Sequence, residues 1–214
     1  DPRLSARGND GAPRAADGFY FDLGSPEAYL AAERVLQALP GPLEWRPVLA
    51  TQLAGAERLD ASRRQAEEEE VMRQEVERRA RELGLQPLRW PDPFPFDSRL
   101  AMRVATYAKS IGRAVPFAQA AFRQAFAGGH SLEDQDVVLI AAAACEMHPA
   151  AVLRGAELRS VAHQLARASS DAAASQIKAV PALVVGGEVF VGERAVERAA
   201  ERARARADAP RTVR

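Results

Sequence analysis

The chain has 214 residues, 47% hydrophobic and 27% charged, enough for one compact domain or one domain carrying a large insertion. Lys+Arg and Asp+Glu balance at 29 each, which argues against a nucleic-acid partner or a polybasic membrane-surface role, since both rely on bulk charge. Cys145 is the only cysteine, so an internal disulfide, a Cys-x-x-Cys redox centre and a cysteine-based zinc site are excluded within one chain.

Residues 1–18 are rich in Asp, Arg, Gly, Ala and Pro without periodicity and read as a disordered tail. The run 19–23, Phe-Tyr-Phe-Asp-Leu, is short and aromatic, as a buried strand is, and ends at Gly24-Ser25-Pro26. Ser25 is placed to cap a helix, Pro26 fits its first position and Glu27 complements its dipole, which predicts a helix over 26–39, stopped by Pro40-Gly41-Pro42. Residues 43–49 read as a second strand. From 55 to about 83 the chain is highly charged with spaced apolar residues, a solvated helix with one buried stripe rather than an acidic binding site, and Gly84 ends it.

Four prolines with Trp90, Phe94 and Phe96 make 86–97 too stiff for a helix and too apolar for a free linker. This segment is expected to lie across something, either walling a substrate pocket or clamping the helical part to the rest. Alanine-rich helices follow over 99–111, 116–126, 133–147, 149–154 and 158–174, broken by Gly128-Gly129 and His148-Pro149. Residues 182–185 and 188–191 then read as a hairpin turning at Gly186-Gly187. Gly192 leads into a last helix over 193–206, and residues 208–214 read as frayed.

Among single residues, Cys145 sits in an alanine-rich helix and is expected to pack as a small hydrophobe. His148, before a proline at a helix break, reads as a cap or surface residue, and His130, His148 and His163 lack metal-ligand spacing, so no metal is expected. Asp22 reads as a loop residue. The longest apolar runs fall far short of the ~20 residues a membrane-spanning helix needs. No secretory signal is visible, so the expectation is a cytoplasmic protein, although a chain opening without Met leaves room for a processed upstream segment.

Strand, helix, strand, helical block, hairpin, helix is the order of a thioredoxin-like domain with a large all-helical insertion. The stretch Phe19-Tyr20-Phe21-Asp22-Leu23-Gly24-Ser25-Pro26-Glu27-Ala28-Tyr29-Leu30 resembles the opening motif of 2-hydroxychromene-2-carboxylate isomerases and kappa-class glutathione transferases, members of the wider DsbA family. The stretch from Val180-Pro181 through the hairpin to Gly192 resembles that family's proline-containing strand, hairpin and Gly-led last helix. The resemblance implies an α/β thioredoxin-like domain in two pieces, 19–54 and 175–207, with the helical insertion at 55–174.

Redox members of the family carry Cys-Pro-x-Cys at the first helix start. Here Ser25-Pro26-Glu27-Ala28 lacks both sulfurs, which excludes dithiol exchange. The resemblance selects the branch in which Ser assists an incoming thiol, so Ser25 is the expected catalytic residue and glutathione or another small thiol the expected cofactor. It places Val180 and Pro181, at the family's cis-proline position, against the thiol's backbone. Gly192, Glu193 and Arg194 stand where the family holds the glutamyl end of glutathione. Arg194 replaces a family Asp and Glu27 a family aromatic, both departures that work against glutathione.

The implied function is a thiol-dependent isomerase or transferase acting on a small aromatic or enone-like substrate, with no nucleic-acid or membrane partner and a homodimer left open. The alternative is a thiol-independent binding module for an extended peptide or hydrophobic ligand. A cis Pro181 beside an open, partly apolar pocket at Ser25 favours the enzyme. A groove filled by a Glu27–Arg194 salt bridge favours the module.

Overall fold

The computed structural model describes residues 13–53 and 65–208. Residues 1–12 of the predicted tail, the start of the long charged helix at 55–64 and most of the frayed end at 209–214 lie outside the described residues. A four-stranded mixed sheet is built from β1 (Gly18–Phe21), β2 (Trp45–Pro47), β3 (Ala182–Val185) and β4 (Glu188–Val191), in the order β2-β1-β3-β4. β1 runs parallel to β2 and antiparallel to β3, which pairs antiparallel with β4. This is the thioredoxin-like arrangement the sequence predicts.

Alternation along β1 divides the molecule. Phe19 and Phe21, both wholly buried, point into the large core with Trp45, whereas Tyr20 points to the opposite face with Val48, Ala182 and Val184. The first face is covered by α1 (Pro26–Ala38), α5 (Ala114–Phe126) and α9 (Ala195–Asp208), the second by α2 (Ala50–Leu53) and α8 (Arg159–Ala174). Between β2 and β3 the chain also forms α3 (Gln65–Glu82), α4 (Arg99–Ser110), α6 (Gln135–Ala143) and α7 (Pro149–Glu157).

Part of the predicted tail belongs to the fold. Gly18 already belongs to β1, Ala15 is buried, and the Asp17 carboxylate accepts from the N–H groups of Gly186 and Gly187 at 2.9 and 3.0 Å. Both glycines have positive φ, +63° and +77°, the conformation a two-residue hairpin turn of this kind requires.

Residues 86–97 act as a clamp. Trp90, Phe94 and Phe96 each pack their rings on Phe126 of α5, with centroids 6.1–6.3 Å apart. The Trp90 indole donates to Glu77 of α3 at 2.7 Å, and the Arg73 guanidinium lies over both Trp90 and Phe94. Of the two roles expected for these aromatics, the structure shows the clamp. Cys145 is buried and donates its thiol to the Ala141 carbonyl, and His148 caps α7, its Nδ1 accepting from the Ala150 N–H. No helix among the described residues is long and apolar enough to cross a membrane.

Candidate active site

α1 starts as its sequence dictates. Ser25 is in extended conformation and its Oγ accepts from the Ala28 N–H at 3.1 Å, Pro26 occupies the first turn, and Glu27 supplies the acidic residue there. Pro26 has no N–H and Ala28 has given its own to the cap, so Glu27 holds the remaining backbone donor at this positive helix end. The Ser25 hydroxyl donates to Glu27 Oε2 at 3.2 Å. Ser25 is thus both cap and donor, and its proton currently points at a carboxylate.

Behind this start lies Asp22, at the end of β1 and only 4% exposed. Its two oxygens accept from the Gly24 and Ala50 N–H groups, both at 2.9 Å, and its carbonyl accepts from the Ser25 N–H at 3.0 Å. Burial pushes its carboxyl up from the usual range, against the hydrogen bonds from Ala50, Gly24 and Ser98 that favour the charged form. Asp22 therefore fastens the β1–α1 turn to the start of α2. Reading it as a plain loop residue misses this; the signal available was an Asp two residues before a turn glycine.

A cleft of about 510 Å³ opens beside the α1 start, between α1, α3, the residues before β3, and the turn from β4 into α9. Leu30, Met72, Val76 and Val196 give it an apolar floor, and the exposed side chains of Val71 and Val191 edge it. Val180, Pro181, Gly192 and Glu193 all line it, and the Val180–Pro181 bond is cis. Two predicted residues do not. Ser25 stands outside the wall, although its acceptor Glu27 is part of it, and Arg194 is exposed and does not line the cleft. Glu27 and Arg194 form no ion pair, and the cleft is open.

Glu193 is held instead by α3, with Arg78 and Arg79 both 3.4 Å away. Beneath it Glu197 binds Arg34 at 2.7 Å and Arg79 at 3.0 Å. Burial pushes the Glu197 carboxyl up, but the Arg34 hydrogen bond and the charges of both arginines outweigh it and hold the group below the usual carboxylate range. This network ties α1, α3 and α9 together. The α3 wall is the part of the site that sequence reasoning missed, because a helical stripe at Met72, Val76, Ala80 and Leu83 looks the same whether it meets core or cleft.

A larger cavity of about 730 Å³ lies on the other face of the sheet, lined by Tyr20, Arg46, Lys109 and Arg167. Three of its four described cations are paired internally: Lys109 and Arg46 bind Glu44, and Arg167 faces Asp171 at 3.6 Å, while Arg14 forms no ion pair among the described residues. None of the predicted site residues reaches it. Among the described residues no group of three or more His, Cys, Asp or Glu is placed to hold a metal ion.

The family model for the DSBA-like thioredoxin domain matches residues 18–203. Among solved structures, a 2-hydroxychromene-2-carboxylate isomerase is similar at 18% identity with a TM-score of 0.73, over 82% of this chain and 87% of that one. A probable DsbA oxidoreductase from Streptomyces coelicolor is similar at 18% identity and TM-score 0.67, over 92% of both chains. At such identities the likeness shows the fold. No curated protein matches the chain.

Proposed function

The chain belongs to the DSBA-like thioredoxin domain family, and from that premise we propose that it is a thiol-dependent isomerase or transferase acting on a small aromatic or enone-like molecule. The observation that carries this reading is a helix start without cysteine, capped by Ser25, beside an open apolar cleft that Val180 and Pro181 also line. A small exogenous thiol, glutathione or another, supplies the sulfur nucleophile that adds to an electron-poor double bond and is released after rotation or retained in a conjugate.

The residues present fit the sulfur end of such a thiol. The Glu27 N–H and the positive end of α1 favour a thiolate, and the Ser25 hydroxyl donates a second hydrogen bond once it turns from Glu27. Val180 offers backbone groups to a peptide-like thiol. The apolar floor holds the acceptor molecule and excludes water from it. The similar isomerase supports the reaction class.

A second reading is favoured by the Ser25–Glu27 hydrogen bond, which occupies the donor a thiolate needs. On that reading the cleft is a non-catalytic binding groove for an extended peptide or hydrophobic ligand. Calorimetric titration of glutathione and other small thiols into the protein and its Ser25→Ala variant separates the two. Saturable binding that weakens in the variant supports the thiol enzyme; absence of binding by every thiol refutes it.

A further inference from the structure

The charges around the cleft are unequal in a way that bears on its ligand. Of the described ionisable side chains lining it, Glu27, Glu68, Glu75 and Glu193 are acidic and only Arg34 and Arg79 are basic. Both arginines are already committed, Arg34 to Glu197 and Arg79 to Glu197, Glu193 and Glu82. Glu75 and Glu193 share Arg78, which lies outside the wall. Among the described residues Glu27 has only the Ser25 hydroxyl as partner, and Glu68 pairs with no cation. The described side chains lining the cleft thus leave an acidic excess, over a floor of apolar side chains and between the exposed edges Val71 and Val191.

We propose that this cleft selects ligands with an apolar body and a cationic amine, and that among small thiols it prefers amine-bearing ones to those carrying carboxylates. The inference rests on the thiol reading of the α1 start only for where the sulfur sits. The helix end attracts the anionic sulfur, while Glu27 and Glu68 attract the ammonium, so an aminothiol satisfies both ends at once. Glutathione brings two carboxylates against one ammonium into the same field. Each carboxylate placed near Glu27 or Glu68 meets a like charge, with no free arginine among the described wall residues to offset it.

Four probes test this. They are a benzylic thiol with a para aminomethyl group, its para carboxymethyl counterpart, and the two sulfur-free analogues, titrated calorimetrically into the wild type and a Glu27→Gln/Glu68→Gln variant. Both substituted residues are exposed, so the variant keeps the fold, which its circular dichroism checks. The expected result at low salt is an amine preference of about tenfold, as for one charge interaction of moderate strength, shrinking toward parity in the variant and at raised salt. Equal affinities, a carboxylate preference, binding of no probe, or a preference unchanged in the variant overturns the proposal. The sulfur comparison reports separately: an amine preference that is indifferent to sulfur leaves the charge selection standing and removes the thiol reading.

Discussion

Replacing Ser25 with Ala removes one oxygen from two interactions, and the structure allows its stability effect to be worked out before any catalysis is considered. The Ser25 Oγ is the acceptor for the Ala28 N–H at 3.1 Å, at the head of a helix that buries Tyr29, Leu30 and Val35 against the core. Ser25 is half-buried, so water partly replaces the lost acceptor, and loss of such a cap costs about 1 kcal/mol. For a domain of this size, 1 kcal/mol lowers Tm by roughly 2–4 °C. Ser25→Asn keeps a capping oxygen but has no hydroxyl, and its Tm should stay within about 1 °C of wild type. Scanning calorimetry of both variants at one pH reads the difference. An Ala variant as stable as wild type, or an Asn variant that falls as far as Ala, refutes the capping argument. The pair also separates cap from chemistry, because thiol affinity should weaken in both while stability falls only in Ala.

The clamp predicts that Phe126→Ala, which strips the ring meeting Tyr29, Trp90, Phe94 and Phe96, costs about 3–5 kcal/mol in denaturant unfolding and exposes 86–97 to proteolysis. A loss under about 1 kcal/mol would contradict it. Asp22 carries a carboxyl raised by burial, so the folded state holds its proton more tightly than the unfolded chain does, and its contribution, full below the usual Asp value of 3.8, is lost as pH rises through the raised folded value. The stability of wild type relative to Asp22→Asn should therefore fall as pH rises from 3.8 upward, and a difference that grows with pH would refute this. A Cβ at Gly155 would lie 2.4 Å from the Tyr107 ring, so Gly155→Ala should destabilise the α4–α7 contact by about 1–3 kcal/mol. The loss should largely vanish in a Tyr107→Ala background, and an equal loss in both backgrounds would show that the ring is not the obstacle.

The parts of the fold marked by local chemistry were legible in the sequence. Ser-Pro-Glu set the start of α1, Gly186-Gly187 set the hairpin, Gly84 set the end of α3 and His148-Pro149 set the start of α7, whereas α6 stops at Ala143, short of the expected 147, and leaves Cys145 in the turn that follows. Val180, Pro181, Gly192 and Glu193 were likewise placed together by the resemblance, and they do line one cleft. What the sequence left open depends on partners distant in the chain. Periodicity gives the apolar face of α3 but not that part of this face lines the cleft. Composition gives the acidity of α3 but not that Arg78 and Arg79 draw Glu193 to it while Arg194 stays exposed outside. Asp22 became informative only once its acceptors were seen to join the α1 turn to Ala50, 28 residues on.

The most direct test of a thiol held at the start of α1 is the ultraviolet absorbance of its thiolate, followed against pH with the protein in excess. Burial pushes the Cys145 thiol up from its ordinary value, so the protein's own thiolate forms at higher pH than the bound one. The account predicts that a bound small thiol titrates below the roughly 8.5 of a free one, that Ser25→Ala moves it back toward that value, and that Glu27→Gln lowers it further. A thiol that titrates in the presence of the protein as it does in buffer, in wild type and variants alike, would contradict the account.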